Sequence, residues 1–164
     1  MRSRPGQAGT RAARLARAGA LALGLLVASG LATSTARAQE FRSVAEAVAV
    51  GHDGPSAKSK RLWLLGRGYP LQVAVSIEGW TKVRDATGAL YWIENRSLST
   101  ARTVLVRTPV ASLRESPSDS APVVLRVARD VTLDLLEPAQ GEWARVRHRD
   151  GTSGFVHANQ VFGL

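Results

Sequence analysis

The chain has 164 residues, with 22 Lys and Arg against 13 Asp and Glu and no cysteine. The lack of cysteine excludes disulfides, a lipidated cysteine, a thiol nucleophile and a cysteine-zinc centre together. Six of the basic residues and none of the acidic ones fall in the first 38 positions, leaving 16 against 13 and a net +3 beyond them, too small and too mixed in sign for a nucleic-acid-binding stripe.

Residues 1–38 read as a secretory signal peptide. Arg2, Arg4, Arg11, Arg14 and Arg17 make a basic start, Ala18 to Ala32 an apolar run, and Ala36-Arg37-Ala38 the small-x-small pattern that sets cleavage between Ala38 and Gln39. The apolar run is shorter than the ~20 residues that span a bilayer, so no stable membrane insertion is expected after cleavage. No anchoring cysteine or sorting tail follows, and the periplasm is the expected compartment.

From Phe41 to Ala47 the pattern fits a short helix or an extra edge strand. Beyond Val50 no helical period of useful length occurs, and short apolar runs alternate with Gly, Pro and Ser clusters at strand spacing. Strands are predicted over Ala47 to Val50, Leu62 to Leu65, Leu71 to Ile77, Trp80 to Arg84 and Ala89 to Ile93. After a polar junction at Ser97 to Thr103, others are predicted over Val110 to Leu113, Val123 to Val127, Val131 to Leu136, Trp143 to Arg147 and Ser153 to Val156. Asp150-Gly151 predicts a type I′ hairpin turn, and Ala86-Thr87-Gly88 a longer, looser one. The units, residues 39–99 and 100–164, are each of a size at which a lone core is marginal, so they are expected to share an interface.

The two units repeat one another. Trp80-Thr81-Lys82-Val83-Arg84, Gly88, Trp92-Ile93 and Leu98 recur 63 residues later as Trp143-Ala144-Arg145-Val146-Arg147, Gly151, Phe155-Val156 and Val161. Upstream of the tryptophans the offset is 62, pairing Val48 with Val110, Pro55-Ser56 with Pro117-Ser118 and Leu71 with Leu133. Duplication without a catalytic cluster favours a binding or scaffolding surface.

The ordered residues Leu113-Arg114, Pro117-Ser118, Leu125, Arg129-Asp130, Leu133 to Leu135, Gly141, Trp143, Arg145-Val146, Asp150-Gly151 and Gly154-Phe155-Val156 resemble a bacterial SH3-like domain. The first unit matches more loosely, through Gly54-Pro55-Ser56, Gly66-Arg67-Gly68, Gly79-Trp80, Lys82-Val83-Arg84, Gly88 and Trp92-Ile93. It departs at Gly51-His52-Asp53, where the family usually shows a leucine-arginine pair, and at Tyr91, in place of a glycine. The resemblance implies an all-β chain of two tandem, five-stranded, partly open barrels. It also implies a non-catalytic module of exported bacterial proteins that binds peptidoglycan, its stem or cross-bridge peptides, or a protein partner. No hydrolase domain accompanies the pair, so it is expected to act by binding.

Strand alternation nominates a face. With Val83 and Val146 in the core, Lys82, Arg84, Arg145 and Arg147 point outward beside Trp80 and Trp143. Each copy then offers an indole and two cations to a sugar or peptide plane and its carboxylates, or else the indole closes the end of the barrel, the reading preferred for so buried a residue type. Trp92 and Phe155 are expected in the core. Tyr69 has no aromatic counterpart and is assigned to an interface or a groove of the first unit. Arg114 and Glu115 reach the loop containing Pro117-Ser118 and either touch ligand or form a solvated pair. The candidate ligand residues are therefore Tyr69, Trp80, Lys82, Arg114, Glu115, Trp143 and Arg145. His52, His148 and His157 fit no zinc spacing and no serine sits in a nucleophile elbow, so no metal, cofactor or catalytic residue is expected. Two functions stay open: a wall-binding module, and an adaptor that binds another envelope protein without wall affinity.

Overall fold

The computed structural model describes residues 39–164; the expected signal peptide, Ala38 included, lies outside the described residues. Two antiparallel sheets of seven strands follow one another in the chain. The first comprises β1 (Phe41–Val44), β2 (Val48–His52), β3 (Arg61–Gly66), β4 (Pro70–Ile77), β5 (Trp80–Arg84), β6 (Leu90–Glu94) and β7 (Leu98–Ser99), in the order β3-β2-β6-β5-β4-β1-β7. The second comprises β8 (Thr103–Val106), β9 (Val110–Arg114), β10 (Val123–Ala128), β11 (Thr132–Gln140), β12 (Trp143–Arg147), β13 (Ser153–His157) and β14 (Val161–Phe162), in the order β10-β9-β13-β12-β11-β8-β14. The two orders superpose position by position, so the sequence repeat is a repeat of fold.

The five expected strands of each copy are β2 to β6 and β9 to β13; the short outer strands are additional. Phe41–Val44 is a strand, and it lies between β4 and β7 rather than at an edge. The expected junction shrinks to residues 100–102, because β8 begins at Thr103. All four β8 residues are buried, and a strand buried on both faces lacks the alternation that identifies one.

Alternation fills each core. Val44, Ala49, Leu65, Leu71, Val83, Tyr91 and Ile93 close the first; Val104, Val106, Ala111, Leu113, Val127, Leu133, Ala144, Val146, Val156 and Val161 close the second. Trp92 and Phe155, expected in the core, are half-buried on the opposite face. Burial of Ile93 and Val156 fixes the register, and with a period of two the residue before each must face outward.

The two cores solve one packing problem in opposite ways. Gly51 pairs in the repeat with Leu113, and Tyr91 with Gly154. A Cβ on Gly51 would lie 2.7 Å from the Tyr91 ring, whereas one on Gly154 would lie 2.9 Å from the Arg114 carbonyl and 3.2 Å from Leu113 Cβ. The first barrel thus fills from β6 and leaves β2 bare, and the second fills from β9 and leaves β13 bare.

Tyr91 is 1% exposed, and its hydroxyl has no hydrogen-bond partner. Burial first, then the Asp85 carboxylate, pushes its phenol far above the ordinary tyrosine range, and Tyr69 is raised by the same two causes. A raised folded-state value favours the neutral form, so this contribution to stability is intact below the unfolded value of about 10 and is lost as pH rises above it. Both tyrosines of the chain lie in the first barrel, so an alkaline absorbance titration should report that barrel alone, with Tyr91 ionising only as it opens. Tyr91→Phe should be neutral or stabilising within about 1 kcal/mol in urea denaturation; a larger loss would mean that the hydroxyl is bonded.

The β5-β6 and β12-β13 hairpins share one turn. Gly88 N–H donates to Asp85 O at 3.0 Å and Gly151 N–H to His148 O at 2.9 Å, and Asp85 and His148 N–H reach Ala89 O and Thr152 O at 3.1 and 2.8 Å. Each is a three-residue loop ending in one left-handed glycine, at φ 91° and 93°, the pattern of a type I turn closed by a glycine bulge. The type I′ turn expected at Asp150-Gly151 needs positive φ at both positions; Asp150 does not have it. Nor is the first copy's turn looser: Asp85 is 6% exposed, and its Oδ1 accepts from Thr87 N, Thr87 Oγ1 and Ala89 N at 2.8, 2.6 and 3.0 Å.

The change of offset from 62 to 63 also has a structural cause. The β4-β5 pair carries one register shift, between Val73 and Val75, and the β11-β12 pair carries two, between Leu135 and Glu137 and between Glu137 and Gln140. The extra residue is a second bulge. It contains Pro138, which has no N–H to lose from the ladder.

The barrels touch, as their size demanded. Phe41 of β1 meets Phe162 of β14 edge to face at 5.4 Å, and the Arg102 guanidinium lies 5.4 Å from the Phe41 ring centre while donating to Gly163 O at 2.8 Å. Thr103 Oγ1 donates to Gly68 O at 2.7 Å and Ser43 Oγ to Ala101 O at 2.8 Å.

Candidate functional site

Trp80 opens β5 and Trp143 opens β12, each half-buried, with Val83 and Val146 fully buried three residues on. Odd and even positions therefore separate as expected: Arg84, Arg145 and Arg147 are exposed and Lys82 is half-buried. Each indole rests against an imidazole. His52 of β2 meets Trp80 at 5.3 Å and 86°, and His157 of β13 meets Trp143 at 5.1 Å and 59°. His52 is 5% exposed and donates from Nδ1 to Ser59 O at 3.1 Å; His157 Nδ1 accepts from Asn159 N–H at 3.4 Å.

A depression lies beside each pair, at equivalent places in the two barrels. In the first barrel, Val50, His52, Arg61, Glu94 and Arg96 line about 280 Å³. In the second, Ser112, Arg114, Asp119, Trp143, His157 and Asn159 line about 280 Å³. Equivalent positions carry different chemistry: His52 becomes Arg114, and Glu94 becomes His157. The first depression is crossed by the Arg96-Glu94 ion pair. In the second, the Arg114 guanidinium donates once, to Ala121 O at 2.7 Å, and keeps its charge free of any carboxylate among the described residues.

Trp143 also borders a larger groove of about 430 Å³, with Pro117, Glu137, Pro138, Arg145 and Phe155. It lies beside the extra β11 bulge, and its wall includes the Glu137-Arg145 pair at 2.6 Å. One indole thus serves two adjacent depressions, an apolar one floored by Phe155 and two prolines and a polar one holding Arg114 and His157.

Of the residues nominated by sequence, Trp143, Arg145 and Arg114 come together around these grooves. Trp80 sits against His52, and the Lys82 ammonium lies 5.8 Å from the Trp92 ring centre. Tyr69 packs against the first core and joins no tryptophan groove. Glu115 is exposed and lines neither groove beside Trp143. Sequence reasoning missed His52 and His157 as groove residues because the histidines were weighed as metal ligands, and their counterparts in the repeat, Arg114 and Glu94, gave no signal. Among the described residues no three His, Asp or Glu side chains converge as a metal site.

Two tandem small barrels of the same strand order, each with a depression beside a tryptophan-histidine pair, define a protein of the SH3-like class. The model of the bacterial SH3 domain family matches residues 45–100 and 108–163, and the chain belongs to that family. No curated protein matches the chain. Similar solved structures include NlpC2 from Trichomonas vaginalis, with 15% identity, a TM-score of 0.36, and 77% of this chain and 48% of that one covered. NlpC1 from the same organism gives 17%, 0.36, 79% and 48%, and an NlpC/P60 family protein from Bacillus cereus gives 17%, 0.35, 74% and 55%. The chain spans about half the length of these structures.

Proposed function

We propose that this chain is an exported, non-catalytic module that binds peptidoglycan or its stem peptides in the bacterial envelope, with the periplasm as its compartment. The observation that carries the reading is a depression at equivalent places in the two barrels, each beside an indole-imidazole contact, with the imidazole supplied by β2 in the first and by β13 in the second. An indole and a proline-lined floor suit the faces of sugar rings and peptide planes, and Arg114 supplies an uncommitted cation for a stem carboxylate. The second barrel is the stronger binder, because Trp143 faces two depressions and the extra bulge enlarges one of them.

Sedimentation of the chain with purified peptidoglycan tests this. The native protein should pellet. Trp143→Ala should weaken binding about tenfold or more, as truncation of a central aromatic does, and Trp80→Ala less, with near-UV circular dichroism establishing that both variants stay folded. Native protein left in the supernatant would overturn the proposal.

A further inference from the structure

We propose that the outer edge of β3 is a docking strand for an extended, acid-flanked segment of a partner protein, which adds to the first sheet as an eighth strand. β3 ends its sheet, and among the described residues no strand pairs with its outer side. An edge strand presents unpaired N–H and C=O groups, and natural sheets protect such edges with charges or bulges. Here the centre of the edge carries no charge: the one register shift of β3 lies near its start, between the Arg61 and Trp63 pairings with β2, and its cations flank the apolar stretch. Leu62, Trp63 and Leu64 are 39%, 52% and 74% exposed. The register sets Leu64 across from Val50 and Gly66 across from Val48, so Val48, Val50 and Leu64 make one apolar strip, with exposed Leu62 next to it along β3.

The second barrel shows what a guarded edge looks like on the same frame. At the positions of Val50 and Leu64 it carries Ser112 and Arg126, which face each other across the β9-β10 pair. One barrel has charged its edge and the other has left it open.

Charge selects the occupant. Lys58, Lys60 and Arg61 precede the strip and Arg67 follows it, all exposed, and none is ion-paired among the described residues. Asp53, whose N–H donates to Lys60 O at 3.0 Å, offsets only part of this. A second copy of the chain is disfavoured: an antiparallel β3-β3 pair centred on Leu64 sets Arg61 against Arg67 at both ends, and like charges directly opposite destabilise a sheet. A lipid surface is disfavoured too, because Trp63 and Leu64 are successive and point to opposite faces, so one membrane plane cannot take both. A partner strand with apolar alternation and carboxylates at its ends meets every feature, by the strand addition that other peptide-binding domains use.

The test titrates the full chain with a fluorescent nine-residue peptide carrying a Val-Thr-Val-Thr-Val centre between pairs of glutamates. The comparison peptide has the same sequence with the central amides alternately N-methylated. The native chain should bind the first peptide and not the second. Leu64→Arg, which imports the second barrel's residue at an exposed site, should weaken binding about tenfold. Arg61→Glu with Arg67→Glu should weaken it and flatten its salt dependence. Leu64→Arg should leave sedimentation with peptidoglycan unchanged, so the edge and the tryptophan grooves are tested separately. The proposal is overturned by absence of peptide binding, by equal binding of the N-methylated peptide, by equal affinity of Leu64→Arg, by a concentration-dependent dimer that Leu64→Arg dissolves, or by binding to phosphatidylglycerol vesicles without binding to peptide.

Discussion

Gly51→Leu should destabilise the first barrel by about 3 kcal/mol, and adding Tyr91→Gly should restore most of the loss. The single change drives a side chain into a ring that already stands 2.7 Å from the Cβ position, an overpacking cost of about 1–3 kcal/mol or more. Tyr91→Gly alone empties a site that is 1% exposed and should cost about 3–5 kcal/mol, as aromatic truncations do. Together the two changes rebuild the Leu113-Gly154 arrangement that the second barrel already uses. Urea denaturation of the four members of the cycle should give a favourable coupling of about 5 kcal/mol or more, because a double variant within about 1 kcal/mol of the native chain stands against single losses that sum to about 6–8 kcal/mol. Additive losses would mean that the two positions do not share one volume. The second barrel is less forgiving toward the reverse exchange, since a side chain at position 154 meets the backbone carbonyl of Arg114 at 2.9 Å, which cannot swing away as a side chain can.

Phe41→Ala carries the other large effect. Phe41 of the first barrel is 6% exposed and holds both the Phe162 ring of the second barrel and the guanidinium of Arg102 in the junction. Its truncation should cost about 3–5 kcal/mol, and by calorimetry should split one unfolding transition into two, because the ring couples the barrels and without it the less stable one melts first. A single transition at an unchanged temperature would show that the ring contributes nothing to the joint. Arg102→Lys should cost less: the cation survives, but the planar group that both faces Phe41 and donates to Gly163 O does not.

Much of the architecture was legible because it was written twice. Trp80 and Trp143, the glycines at 88 and 151, and the apolar alternation around Val83 and Val146 placed the central strands and their facing. Three things escaped, each for a definite reason. The strand Thr103–Val106 opens on a threonine and continues as three apolar residues, all four buried, so period gave no signal. Trp92 and Phe155 were assigned inward because each precedes a β-branched residue in a closing strand, but that residue is what occupies the inside. The Asp150-Gly151 pair suggested a two-residue turn, although Asp-Gly also fits the last two places of a three-residue loop, where only the glycine needs positive φ. For the candidate site, sequence nominated Trp143, Arg145 and Arg114, which gather at the grooves of the second barrel; the imidazoles that meet the indoles come from other strands, β2 and β13, and only the folded sheets bring them there.

The opposed filling of the two cores also bears on how a tandem repeat avoids tangling as it folds. Near-identical neighbours on one chain can trade strands, and such misassembly is a characteristic failure of repeated domains. Here a hybrid barrel that took β2 from the first copy and β13 from the second would join Gly51 to Gly154 and enclose a hole. The opposite hybrid would join Leu113 to Tyr91 and force two large side chains into the space of one. Either exchange carries a penalty that the correct pairings escape, so each half of the duplication recognises its own strands by volume.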